Sequence, residues 1–193
     1  MFQVPPSVQR LAIEIEGWLD LGCPDRAIDK LKILMEVPGA RPAALVLRVR
    51  GYTELGRFEE AIIDIDDVRS FDHDADWADL TEAWCRKRIG DLAGAAHCME
   101  RLLERSNHSA IGHFNLGCYL ALQGEPGRAL DEVTLACGID PSFRKLLDAE
   151  EDLDSLRGLP GFQSLLEQAV KPRSQLVLGQ APGRFAHARV PTD

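Results

Sequence analysis

Apolar side chains recur along this chain in bursts of helical period. Ala27, Ile28, Leu31, Leu34 and Met35 form the first, and Ala61, Ile62, Ile65 and Val68 the second. Ala95, Ala96, Met99, Leu102 and Leu103 make a third; Ala129, Leu130, Val133, Ala136 and Cys137 make a fourth. Steps of three and four place each set on one face of a helix. Every burst opens on an alanine, and the alanines stand 34 residues apart. Five residues before each alanine comes a glycine: Gly22, Gly56, Gly90 and Gly124, with Gly158 continuing the interval.

Two columns locked at one period define a repeating unit, and their chemistry predicts helix–turn–helix. Glycine ends a first helix where the backbone must turn through positive φ. Two residues later Pro24, Phe58, Leu92, Pro126 or Pro160 opens a second helix, where proline's missing N–H costs nothing. The alanine column is small because two helices cross closely there, and a larger side chain would wedge them apart.

These residues resemble the tetratricopeptide family, whose unit is 34 residues long. The fourth unit matches best, with Leu116-Gly117, Gly124, Ala129, Ala136 and the closing Asp140-Pro141. The second carries the family's aromatic as Tyr52 and then Gly56-Arg57-Phe58-Glu59-Glu60-Ala61; the first has Trp18 in the Tyr52 column. The third departs from the pattern, with Arg86 in that column and Asp79 and Glu82 where apolar residues are usual. The resemblance implies an all-α solenoid of four tandem repeats over residues 1–141. A degenerate capping repeat is expected over 142–170, where Gln163 replaces the alanine and residues 146–154 are acidic. In that cap Phe143, Leu146, Leu147, Leu153 and Leu156 are expected to cover the fourth repeat.

Charge divides the chain unevenly. Residues 171–193 carry Lys171, Arg173, Arg184 and Arg189 against Asp193, so a tail of net +3 follows a body of net −12. The tail has no helical period and is expected to be disordered. A total of −9 argues against a nucleic-acid partner, which requires a basic footprint. It also disfavours the RNA-reading pentatricopeptide repeats, whose period is 35 and whose surface is basic. No run of roughly 18 apolar residues suits a membrane span, and the start lacks a signal-peptide pattern. A cytoplasmic protein with no membrane partner is expected. Five scattered cysteines with no CxxC pair then read as free, mostly buried thiols.

No constellation suits an enzyme, a cofactor or a metal. Asp72-His73-Asp74-Ala75-Asp76 resembles the start of a calcium loop, but Trp77 and Ala83 stand where such a loop needs glycine and a bidentate glutamate. An inter-repeat loop capping the next helix is the plainer reading. His97 with Cys98, and His113 with Cys118, lack the spacing of a zinc site, and no phosphate loop, serine elbow or HExxH helix is present.

What remains is binding. In the family the first helix of each unit lines a concave surface, and fixed columns of that helix face the ligand. Carried over through the glycine register, those columns hold Arg50 in the second unit and Trp77, Leu80, Trp84, Lys87 and Arg88 in the third. The fourth contributes Phe114, Asn115 and Cys118. The lysine/asparagine clamp by which some members grip a terminal carboxylate is absent: Ala12, Glu16, Leu47, Trp77 and Thr81 occupy its positions. An apolar strip with basic edges is expected instead, suited to an amphipathic peptide or helix of another protein. Trp77 and Trp84 have two homes open to them: the groove, or a core that Asp79, Glu82 and Arg86 cannot fill. The function implied is an interaction module or assembly scaffold, monomeric or weakly dimeric. The alternative is an obligate accessory subunit or chaperone whose groove is permanently occupied.

Overall fold

The computed structural model describes residues 6–72 and 76–170. The basic tail, and with it the expectation of disorder, lies outside the described residues, as does the middle of the Asp72–Asp76 loop. The described residues are all-α, arranged as α1 (Pro6–Asp20), α2 (Pro24–Met35), α3 (Arg41–Glu54), α4 (Phe58–Arg69), α5 (Asp76–Arg88), α6 (Leu92–Arg105), α7 (Ala110–Leu122), α8 (Pro126–Ile139) and α9 (Pro160–Val170). Short 3-10 helices, Pro141–Lys145 and Glu151–Leu156, stand between α8 and α9. Among these residues no helix is long and apolar enough to cross a membrane.

The period in the sequence is the period of the backbone. The second helices begin at Pro24, Phe58, Leu92 and Pro126, and the first helices end at Asp20, Glu54, Arg88 and Leu122. Between them Gly22, Gly56, Gly90 and Gly124 take φ of 67°, 71°, 83° and 80°. One pair of hydrogen bonds closes all four turns. The residue after the glycine donates to a carbonyl five back, as in Cys23 to Trp18 at 2.8 Å and Asp91 to Arg86 at 2.8 Å. The glycine itself donates three back, as in Gly56 to Thr53 at 3.2 Å and Gly124 to Ala121 at 3.1 Å. Each pair satisfies carbonyls that the helix end would otherwise leave bare. Ala27, Ala61, Ala95 and Ala129 are all 0% exposed, as a close crossing requires.

Two compact units emerge, Met1–Cys98 and Met99–Asp193. In the first, α1 packs on α2, α2 on α3, α3 on α4 and α4 on α5, while α1 also reaches α3. Ile15, Leu19, Leu31, Leu34 and Leu47 build its leading core. In the second, α7 lies along α8 so closely that a Cβ on Gly117 would stand 2.6 Å from Val133 and 3.1 Å from the Ala129 carbonyl. The fifth unit keeps the register but not the helix: α9 starts at Pro160, yet the two 3-10 helices replace its partner. Leu147, Leu153, Leu156 and Phe162 are fully buried there. Leu146, expected to join them, is 38% exposed.

The third unit fills its interior with charge. Asp79 and Glu82 on α5 are each 2% exposed, and Asp64 on α4 is 3% exposed. Arg69, ending α4, donates to Asp79 at 2.9 Å and also to Glu82. Arg86 donates from Nε to Glu82 at 2.6 Å and from Nη1 to Asp91 at 2.6 Å, while Asp91 caps α6 by accepting from the Gly94 N–H at 2.9 Å. Arg48 on α3 grips Asp64 with two bonds of 2.6 Å. Burial alone would raise the Glu82 carboxyl, but hydrogen bonds and charge from Arg86 and Arg69 outweigh it and hold it below the ordinary glutamate range.

Two tests follow from this architecture. Gly90 and Gly158 occupy one sequence column, and neither meets an atom within 4 Å of an added Cβ, but only Gly90 needs positive φ. Gly90→Ala should cost about 1–2 kcal/mol of stability, and Gly158→Ala about 0.5 kcal/mol or less, by urea unfolding. Equal losses would refute the turn account. For the ion cluster, a depressed folded-state value means its contribution is complete above the unfolded glutamate value of about 4.3. It is lost as pH falls through the folded value. Glu82→Gln should cost about 3 kcal/mol at neutral pH and flatten the acid limb of stability against pH; a variant with the parent's acid limb would contradict it.

Candidate interaction surface

The face of α5 turned away from the ion cluster carries Trp77, Leu80, Trp84 and Arg88, at steps of three, four and four. Such steps keep four side chains on one side of a helix over about 16 Å. Trp77, Leu80 and Trp84 are half-buried, and Arg88 is exposed. Trp77 rests on Val49, Ile65 and Ala78, and the Thr81 hydroxyl bonds back to its carbonyl at 2.7 Å. Trp84 meets Phe58 edge to face, with ring centroids 5.3 Å apart and planes at 84°. The Arg88 guanidinium lies over both rings, 5.6 Å from Trp84 and 5.9 Å from Phe58.

Asp79 and Glu82 remain inside, held by Arg69 and Arg86, so α5 keeps its register. The tryptophans are half-buried on the other side of the helix.

Other expected members fall elsewhere. Arg50 was expected as a basic edge, but it is committed to Asp20 and Glu54, both at 2.9 Å. The bond to Asp20 joins α1 to α3, and the bond to Glu54 stays within α3. Lys87 is half-buried beside Arg88. In the compact unit Met99–Asp193, Phe114, expected as a partly exposed anchor, is 4% exposed and packs on Phe143 of the cap, with ring centroids 5.0 Å apart. Cys118 is also 4% exposed, and Asn115 is half-buried. The fourth-unit aromatic is an interior residue because the cap needs a ring to pack on, a demand that no column within one repeat reveals. Phe58 was the member missed. Its signal was an aromatic ring in a column where Pro24, Pro126 and Pro160 stand.

The residues weighed for chemistry are occupied by structure. His113 does not meet a thiol; its ring nitrogens face Glu132 of α8 at 2.6 Å and the Asn107 carbonyl at 3.1 Å. Burial, with the Glu82 charge adding to it, pushes the Cys85 thiol up to about 12. Burial likewise raises the Cys137 thiol. Burial of this kind disfavours the thiolate, the form that acts as nucleophile or ligand. Cys118, Glu150 and Asp152 bring ligand atoms within 4.8 Å of one another.

No protein-family model matches the chain, and no curated protein matches it either. Solved structures do. The "Crystal structure of MamA protein" superposes at a TM-score of 0.68 with 17% identity, over 89% of this chain and 98% of that one. "MamA 41-end from Desulfovibrio magneticus RS-1" gives 0.67 and 15%, over 86% and 96%. A further "Crystal structure of MamA" gives 0.65 and 17%, over 80% and 93%. At such identities the likeness is one of fold.

The thiols supply a direct check on the interior. Cys85, Cys98, Cys118 and Cys137 are buried and only Cys23 is half-buried. In native protein a thiol reagent should label one cysteine quickly, Cys23, and label all five after denaturation. Fast labelling of Cys85 would show that the third unit is open.

Proposed function

We propose that this chain is a tetratricopeptide-type interaction module of the cytoplasm, without catalytic activity. The compact unit Met1–Cys98 takes an amphipathic helix or extended segment of another protein along α5. The carrying observation is the strip itself. Trp77, Leu80 and Trp84 present half-packed apolar faces on one side of a helix whose opposite side is pinned by buried ion pairs. Large rings held rigid at a surface lose little entropy on binding, which makes them effective anchors. The fold shared with the MamA structures supports a helical-repeat scaffold and leaves the partner to be found.

Trp84→Ala separates a binding role from a structural one. As an anchor, Trp84 should contribute about 2 kcal/mol or more to affinity. Its removal should cost about 1 kcal/mol of stability through the lost edge-to-face contact. A buried structural Trp would instead cost about 3–5 kcal/mol of stability. Ile63→Ala, on an α4 side chain 65% exposed, serves as control. A protein retained from native extract by the parent and the Ile63 variant, but not by the Trp84 variant, is the expected result. A large stability loss with unchanged retention would overturn the proposal. A chain that aggregates or dimerises when purified alone would favour the obligate-subunit alternative.

A further inference from the structure

Resting on that reading, we infer that Arg88, seated on the Trp84 and Phe58 rings, is a receptor for a side-chain carboxylate of the bound segment. Nine arginines lie between Met1 and Cys98. Arg41, Arg48, Arg50, Arg57, Arg69 and Arg86 each hold a carboxylate. Arg88 does not: among the described residues it makes no ion pair or hydrogen bond, and it lies over two rings. Among those residues Arg10 and Arg26 also make no ion pair, and Arg26 lies 4.6 Å from the Trp18 ring, but of these three only Arg88 stands on the α5 strip.

The rings also fix what Arg88 can offer. A cation–π contact engages the guanidinium's charge and leaves an N–H edge available to an acceptor. That edge is a planar fork matched to the two oxygens of a carboxylate. Stacking removes side-chain freedom before any ligand arrives, so less entropy is lost when the pair forms. It also stands at the end of the apolar strip, beyond Trp84, so the acid must lie to one side of the apolar anchors of the segment rather than between them. Arg50 already holds Asp20 and Glu54, so of the two arginines Arg88 is the fork that holds no carboxylate. A single fork takes one side-chain carboxylate. The turn at Gly90 is exposed, and the bound chain can run past it instead of ending there.

A library of random 16-residue peptides, displayed between two folded domains so that no terminus is free, tests this on the full chain. Peptides selected on the parent should carry Asp or Glu at one fixed spacing to one side of a pair of apolar residues. Their affinity should fall about tenfold with Arg88→Gln and less with Arg88→Lys, which keeps the charge and loses the flat fork. It should also weaken with added salt. Selected peptides that need Trp84 but show no acid, or ignore Arg88→Gln, overturn the carboxylate inference and leave the apolar strip standing. Acid enrichment appearing only when the library ends in a free C-terminus overturns the side-chain source. Peptides indifferent to Trp84→Ala overturn the docking reading itself.

Discussion

The compact unit Met1–Cys98 depends on carboxylates that should not be inside a protein. Asp79 and Glu82 occupy positions where a helical repeat ordinarily places aliphatic side chains, and both are shut off from water. An unpaired buried charge is costly, so α5 can dock only where Arg69 from α4 and Arg86 from its own next turn reach these acids together. Apolar packing tolerates sliding and exchange among similar shapes, whereas paired charges accept few positions. The cluster therefore specifies which helix follows which, and at what rotation. With one face of α5 fixed in this way, the other face is fixed too. The tryptophans are held at the margin as a consequence.

The turns impose a second constraint of a different kind. Four glycines at positive φ end four helices with the same pair of backbone hydrogen bonds, so the hairpins share one exit geometry. Identical exits need only one small residue at each crossing, and the alanine column provides it. Geometry thus comes from the turn and the crossing, and the remaining positions are free to differ. The third unit uses that freedom for charge, and the fourth for a glycine that brings α7 onto α8.

Much of this was legible in the sequence because it depends on local chemistry repeated at one interval. Glycine, alanine and helix-opening columns predicted the boundaries, since backbone conformation and close approach act within a few residues. The candidate surface was harder to read. Arg50 and Arg88 look alike as basic residues on first helices, and only their neighbours distinguish them: one is used by Asp20 and Glu54, the other rests on rings. Phe114 reads as a groove residue by register and is claimed by Phe143, twenty-nine positions later, from a segment with no helical period. Asp79 and Glu82 looked like a failure of the pattern when they are its replacement. Pairing across elements carries no periodic mark, and it decides each of these cases.

The fifth unit keeps the starting point of its last helix and loses the helix before it. A growing array extends by offering each new hairpin a pair of parallel helical ridges to sit on. The segment from Pro141 to Leu156 offers two short 3-10 helices whose large side chains are already turned inward. Duplication of a repeat during descent could therefore lengthen this protein only by insertion ahead of Asp140. A copy appended behind α9 would find no seat.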